Sequence, residues 1–146
     1  VRASETLRSV FSSVEAHRGD LGGLFRETLK QRISWFRRGK RDDWELSLAD
    51  AYRDRGDYLR ATTFMYEAFV TRACNERSDD PTDFELRKKS YASARAQQPE
   101  VAKLEYLRNS LAHGVRPRAD QEARTLDDES RLHTMLKSLR NKLFKS

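Results

Sequence analysis

The sequence predicts an all-α protein, an antiparallel helical bundle of about five to six helices. Apolar residues recur three and four positions apart along most of the chain, which places them on one face of an α-helix. No segment alternates apolar and polar residues between turn signals, as a half-buried β-strand would. A chain of 146 residues is long enough to bury a core without disulfides or metals. We therefore expect residues 1–146 to form a single helical domain.

The first half of the chain carries four apolar stripes. The first two are Leu7, Val10, Phe11 and Val14, then Leu21, Leu24, Phe25, Leu29, Ile33 and Phe36. A basic turn at 37–41 precedes a third helix from Asp42 to Arg55, whose predicted inner face is Trp44, Leu48, Ala51 and Tyr52. Gly56 ends this helix and Asp57 caps the next, whose stripe is Ala61, Phe64, Met65, Ala68, Phe69 and Arg72.

The second half begins with a change of composition. Residues 76–98 are polar and almost free of aliphatic side chains, so we expect a surface insert, with Thr82 as the cap of a short helix. Pro99 suits the first turn of a further helix that ends at Gly114. Thr125 and Asp128 resemble a capping box for the last helix. The apolar stripes of these two helices are Val101, Leu104, Leu107 and Leu111, then Leu132, Met135, Leu136, Leu139 and Leu143.

Composition limits the possible functions. The single cysteine, Cys74, excludes an intrachain disulfide, and the three scattered histidines lack zinc-ligand spacing, so we expect no metal and no cofactor. No segment is apolar enough to be a signal peptide or a membrane span, and we predict a cytoplasmic protein without a membrane partner. The net charge of +6, supplied mainly by arginine, favours a polyanionic partner such as RNA.

One segment combines residue types that suit phosphodiester chemistry. Arg108, Asn109 and His113 lie at the C-terminal end of the helix that Gly114 terminates. On a regular helix Asn109 and His113 share a face, whereas Arg108 and His113 are about 140° apart. Histidine can transfer protons near neutral pH, and arginine can hold the charge that develops on a phosphate. The same spacing also fits a histidine at a helix end beside a solvated arginine.

The sequence from Arg108 to His113 resembles the signature of HEPN ribonucleases: an arginine, a polar residue, three further residues and a histidine. Residues 48–75, LADAYRDRGDYLRATTFMYEAFVTRACN, are similar to the helix pair before that motif in the HEPN half of CRISPR-associated CARF–HEPN ribonucleases. The resemblance covers residues 44–114. The remainder is similar only in being helical.

This resemblance implies a metal-independent endoribonuclease with a composite site in a homodimer. Such an enzyme cleaves single-stranded RNA by attack of the 2′-hydroxyl and leaves a 2′,3′-cyclic phosphate, and Arg108, Asn109 and His113 would be its catalytic residues. Glu67 matches an acidic residue that relatives often place on the preceding helix, or else it pairs structurally with an arginine. The arginines predicted to bind RNA lie in the loop after Gly114, namely Arg116, Arg118 and Arg124.

The resemblance also implies a biological setting, antiviral defence. Full-length relatives of the CRISPR type carry an N-terminal domain that senses cyclic oligoadenylate, and this chain contains no such region. The chain would then be either a C-terminal fragment of a longer protein or a stand-alone HEPN protein, and the start at Val1 favours the fragment.

Two other functions fit the same sequence. The spacing of small and aromatic residues in 48–68 resembles a tetratricopeptide unit, which would make the protein an interaction scaffold. A shift of about 34 positions does not repeat the pattern, and repeat folds generally need several units. The second alternative is a non-catalytic HEPN domain that binds RNA or acts in a toxin–antitoxin pair. The basic clusters would serve that role equally well.

Overall fold

The computed structural model describes residues 39–114 and 124–144, together with Ser9, Ser12, Ser13, Thr28 and Gln31. The chain divides into two compact units, residues 1–40 and residues 41–146, where the sequence suggested one domain. In the first unit the five isolated residues are helical, and the Ser13 hydroxyl donates to the Ser9 carbonyl one turn earlier, at 3.0 Å. The apolar stripes predicted between Leu7 and Phe36 lie outside the described residues.

The described part of the second unit is helical and contains no strand, which confirms the all-α prediction. Its long helices are α1 (Arg41–Arg53), α2 (Tyr58–Glu76), α3 (Phe84–Gln97), α4 (Pro99–His113) and α5 (Glu129–Leu143).

Helix α2 is the centre of this unit, because it packs against each of the other four helices. Fully buried alanines let neighbouring helices approach closely, as Ala49 does on α1 and Ala61 and Ala68 do on α2. Larger side chains fill the space between α2, α4 and α5, and burying each of them contributes roughly 1.5–3 kcal/mol. They are Met65, Phe69, Val101, Leu104, Leu107, Leu132, Leu136, Leu139, Leu143 and Phe144.

The capping signals in the sequence locate several helix ends correctly. Gly56 adopts the left-handed conformation (φ +75°) after α1, and the Asp57 carboxylate accepts from the backbone N–H of Arg60 at the start of α2. At α5 the cap is Asp128 itself, which accepts from the N–H of Arg131 at 3.1 Å. The helix therefore begins at Glu129. We expected a capping box that starts at Thr125, but the N-cap residue is Asp128.

The inner face of α1 differs from the prediction. The buried residues are Asp42, Glu45, Leu46 and Ala49, whereas Ala51 is exposed and Trp44, Leu48 and Tyr52 are only partly buried. Two carboxylates therefore occupy positions that an apolar pattern cannot identify.

These buried carboxylates are stabilised by partners on α2. Asp42 accepts from Arg72 Nε at 3.2 Å and from Asn75 Nδ2 at 3.0 Å, and Glu45 accepts from the buried hydroxyl of Thr71 at 2.7 Å. Hydrogen bonds of this kind offset the cost of removing a carboxylate from water. They also make the pairing of α1 with α2 specific.

The segment 76–98, expected to be a polar surface insert, is organised around α3. Most of α3 is exposed or half-buried, but Ser90 is fully buried and its hydroxyl donates to Asp79 at 2.6 Å. The helix is capped by Asp83, which accepts from the N–H of Leu86 at 2.9 Å, and not by Thr82. Thr82 instead donates through both its N–H and its hydroxyl to Asp80.

Candidate functional site

Helix α4 places the Arg108–His113 motif in its last two turns. Pro99 occupies the first turn, and Val101, Leu104 and Leu107 are buried on the inner side. Gly114 ends the helix in the left-handed conformation (φ +60°), and its N–H donates to the Ser110 carbonyl at 2.9 Å. This glycine leaves His113 as the last helical residue, at an exposed end of the helix.

Arg108 is half-buried, and its guanidinium lies over the ring of Tyr66 on α2, with Cζ 4.5 Å from the ring centroid. A cation above an aromatic face is attracted by about 0.5–2 kcal/mol, depending on how far the pair is removed from water. An aromatic ring carries no net negative charge, so this contact leaves the positive charge of the guanidinium uncompensated. Tyr66 therefore orients Arg108 without neutralising its charge.

A second set of contacts holds Tyr66 in place. Its ring packs against Tyr91 of α3 at a centroid distance of 5.2 Å, and the Tyr91 hydroxyl donates to Glu105 of α4 at 2.8 Å. Arg95 forms an ion pair with the same carboxylate, at 3.1 Å. The support of Arg108 thus involves α2, α3 and α4 together.

Burial within this cluster raises the pKa values of Tyr66 and Tyr91. Removal from water, followed by the hydrogen bond to Glu105, raises the pKa of Tyr91 well above its ordinary value. Burial also raises the pKa of Tyr66, although the hydrogen bond to Tyr91 and the positive charge of Arg108 act in the opposite direction. Both phenols are therefore neutral at physiological pH and act as packing and hydrogen-bonding groups.

Arg108 differs from the other half-buried arginines in its charge environment. Arg53, Arg72 and Arg87 each form an ion pair with a carboxylate. Within residues 39–114 and 124–144, no carboxylate forms an ion pair with Arg108. A guanidinium that is held by an aromatic ring and not by an anion keeps its capacity to bind a phosphate.

The three motif residues do not form a contact cluster within one copy of the chain. Arg108 contacts α2, Asn109 is half-buried and His113 is exposed. Since five residues turn a helix through roughly 500°, the arginine and the histidine leave α4 in different directions. The structure therefore brings Arg108 to Tyr66 and leaves His113 facing solvent.

Glu67 lies next to Tyr66 on α2 and pairs with Arg87 of α3, with Oε2 and Nη2 2.6 Å apart. This is the type of contact expected for the structural alternative that we considered for Glu67. The ion pair joins α2 to α3 and so supports the surroundings of Arg108.

Arg124 lines an open groove between α4 and α5, away from Tyr66. We call it the α4–α5 groove, and its walls include Lys103, Tyr106, Arg124, Arg131, Thr134 and Lys142. The other two arginines predicted to bind RNA, Arg116 and Arg118, lie outside the described residues.

The sequence analysis did not identify Tyr66 or Lys103 as residues near a candidate site. Tyr66 follows directly after the buried stripe residue Met65, and nothing in the sequence marks it as the neighbour of Arg108. Lys142 belongs to the C-terminal basic cluster of the sequence, whereas nothing in the sequence connects Lys103 with that cluster. Only the packing of α4 beside α5 places them in one groove.

The described residues contain neither a cluster of metal ligands nor a membrane-spanning helix. No group of three or more His, Cys, Asp or Glu side chains there is arranged to hold a metal ion. None of the helices in that part of the chain combines the length and the apolar character needed to cross a bilayer.

Comparisons of the chain with protein-family models, with curated proteins and with solved structures gave no match. The resemblance to HEPN ribonucleases therefore stays a prediction based on the motif and on residues 44–114.

Proposed function

We propose that this chain is a metal-independent endoribonuclease of the HEPN type, which cleaves single-stranded RNA in a site shared by two copies of the chain. The observation that carries the proposal is the environment of Arg108. This arginine stands one residue before Asn109 and five before an exposed His113. It lies over an aromatic ring, and no carboxylate of the described residues pairs with it.

The chemistry assigned to these residues is a transesterification. The ribose 2′-oxygen loses its proton and attacks the adjacent phosphorus, and the bond from phosphorus to the 5′-oxygen breaks. We assign to His113 the donation of a proton to the leaving 5′-oxygen. We assign to Arg108 the stabilisation of the negative charge that grows on the phosphate. Asn109 would orient the imidazole or contact the phosphate. The products are a 2′,3′-cyclic phosphate and a 5′-hydroxyl.

In this proposal, a second copy of the chain completes the set of catalytic side chains around one phosphate. Arg108 and His113 leave α4 in different directions, so one helix does not place both groups on one phosphate. Two α4 ends that face each other would offer two imidazoles and two guanidiniums to one strand, and the second imidazole could accept the 2′-hydroxyl proton. The resemblance suggests CRISPR-associated antiviral defence as the setting of this activity.

The test is cleavage of a fluorescent single-stranded RNA by the full chain in the presence of EDTA, with analysis of the RNA ends. We expect cleavage that leaves cyclic-phosphate ends. His113→Ala should lower the rate by roughly 10²–10⁴-fold, the usual contribution of a proton-transfer group. Arg108→Ala should lower the rate by about 10²–10³-fold, as the loss of a group that stabilises transition-state charge does.

Two matched variants serve as controls. His133→Ala removes a histidine that makes an edge contact with Tyr58, and Arg60→Ala removes an arginine that lies over Tyr52. Both should keep the wild-type rate, because neither belongs to the motif. Cleavage that survives His113→Ala, or that requires an added divalent metal, contradicts the assigned roles. RNA binding without cleavage would instead favour the non-catalytic alternative.

A further inference from the structure

The α4–α5 groove is an open depression with a volume of about 1110 Å³. An ion pair at one end, between Glu100 and Lys142 at 3.3 Å, joins the start of α4 to the end of α5, as in an antiparallel pair. Small-molecule pockets usually enclose about 300–1,000 Å³ and bury most of the ligand. A groove this large and this open fits an elongated ligand better than a compact one.

The charge of the groove is predominantly positive. Among the described residues that line it are four cations, Lys103, Arg124, Arg131 and Lys142, and one carboxylate, Glu100. A concave surface of one charge sign concentrates ligands of the opposite sign. The groove therefore favours an anionic ligand.

The ion pairs at the groove can be exchanged for contacts with such a ligand. Lys142 pairs with Glu100, and Arg131 pairs with Asp128 at 3.1 Å. The side chains of Lys142 and Arg131 are 56% and 60% exposed, and exposed pairs of this kind add little stability. A phosphate can replace the carboxylates at small cost.

Neutral hydrogen-bonding groups lie between the charges. Ser130, Thr134 and Ser138 line the groove at intervals of four residues and so form one row along α5. On α4, Tyr106 also lines the groove, and its buried hydroxyl has no hydrogen-bond partner among the described residues. Hydroxyl groups and cations together are typical of surfaces that bind a sugar–phosphate backbone without reading its bases.

The groove points towards the end of the helix that carries His113. Lys103 and Tyr106 line it from α4, and His113 follows Tyr106 by seven residues. Seven residues make almost two full turns, so His113 lies on the same side of α4, about 10 Å further along the axis. A strand that leaves this end of the groove passes the imidazole.

From these observations we infer that the α4–α5 groove binds the phosphate backbone of single-stranded RNA and guides the strand towards His113. The inference rests on the proposed function for the role of His113, but the binding of RNA in the groove can be measured without cleavage. The inference adds Lys103, Arg131 and Lys142 to the residues expected to bind RNA. Arg124, which the sequence analysis already predicted to bind RNA, lies in the same groove.

The test is equilibrium binding of a fluorescein-labelled single-stranded RNA to the full chain, followed by fluorescence anisotropy. All proteins carry His113→Ala, so that the RNA stays intact. The variant Lys103→Ala/Lys142→Ala removes two lysines from the groove. The matched control, Lys88→Ala/Lys137→Ala, removes two exposed lysines from outside it and changes the net charge equally.

We expect the groove variant to bind roughly tenfold more weakly at low salt, and the control to change by less than about twofold. The dependence of log Kd on log salt should also become shallower by about 1.4 in the groove variant, because two phosphate contacts are lost. Equal weakening in the two variants would mean that only net charge matters, and it would overturn the inference.

A second groove variant guards against an effect on folding. Thr134→Glu adds a negative charge to the exposed wall of the groove without removing a lysine, and it should weaken binding in the same direction. Circular dichroism and Tm of all variants should match those of the parent chain. Unchanged binding by a folded Thr134→Glu variant would count against the groove as the RNA site.

Cleavage by the chain with His113 intact distinguishes the two proposals. If this chain does not cut RNA but binds it through the groove lysines, the nuclease proposal fails and the groove stands. If it cuts RNA while the groove variant and its control bind equally, the nuclease proposal stands and the groove fails.

Discussion

Arg108 shows that the function of an arginine depends on what faces it. Arg72 is held by the buried Asp42 and so contributes to the pairing of α1 with α2. Arg87 pairs with Glu67 and joins α3 to α2. Arg108 is positioned by the ring of Tyr66, which attracts the cation without supplying a negative charge. This difference in partner, and not the residue type, makes Arg108 a candidate for phosphate binding.

At this scale we predict that Tyr66 positions Arg108 for cleavage. Tyr66→Leu should lower kcat by roughly three- to thirtyfold, which corresponds to the loss of one cation–π contact, with KM nearly unchanged. Tyr66→Phe keeps the aromatic face and should retain most of the activity. The measurement is steady-state RNA cleavage by each variant.

Tyr52→Leu is the matched control for this experiment. It removes a ring that also lies beneath an arginine, Arg60, but that belongs to the α1–α2 pair. If Tyr66→Leu and Tyr52→Leu lower the rate equally, the effect reflects stability and Tyr66 has no positioning role.

Among the elements, α1 and α3 depend most on polar contacts. The buried face of α1 carries Asp42 and Glu45, whose partners are all hydrogen-bond donors. Helix α3 is attached by the aromatic contact between Tyr91 and Tyr66, by the Glu67–Arg87 pair and by the buried Ser90. The hydroxyl of Ser90 donates to the Asp79 carboxylate, so the attachment of α3 also includes a contact with a titratable group.

Asp79 provides a pH-dependent test of how α3 is attached. Hydrogen bonds from Ser90 and Arg77 lower the pKa of this carboxyl below its usual value of 3.8. A carboxyl with a lowered pKa in the folded state stabilises the protein above the unfolded-state pKa, and this contribution is lost as the pH falls through the folded-state value.

We therefore expect the free energy of unfolding to decline below about pH 4, and to decline less steeply in Asp79→Asn. Urea unfolding followed by circular dichroism across the acid range measures this slope. Asp54→Asn, which removes an exposed carboxylate paired with Arg53, reports the general effect of losing one surface charge. Equal slopes in the wild type and Asp79→Asn would show that Asp79 does not contribute in this way.

For the whole molecule, the described part of the second unit is built around α2. This helix contributes the buried stripe at the centre of the core and also Tyr66, which contacts the motif helix. Helix α4 is likewise used on two sides, with Arg108 towards α2 and the groove towards α5. Its exposed end at His113 is where the proposed second copy would complete the site.

The proposed shared site predicts a dimer in solution. Sedimentation velocity should give a mass of twice the 17.1 kDa of one chain at the concentrations at which RNA is cleaved. Dilution that dissociates the dimer should lower the cleavage rate per chain. If the protein sediments as a monomer and still cleaves RNA at the full rate, the shared site is ruled out. The groove would remain a binding surface.

The sequence by itself determined the helical class and the order of the elements. Helix formation depends on contacts between residues three and four positions apart and on caps such as Asp57 and Gly114, so it can be read locally. The position of the motif at the end of α4 follows from the same local signals.

Only the tertiary structure decided which faces meet. The inner face of α1 was predicted wrongly, because it buries the carboxylates of Asp42 and Glu45. Hydrogen-bond donors on α2 make this burial possible. The ring beneath Arg108 could not be predicted either, nor could the meeting of Lys103 and Lys142 with Arg124 in one groove. Each of these features joins residues that lie far apart in the chain, and no local pattern of apolarity or charge encodes which of them come into contact.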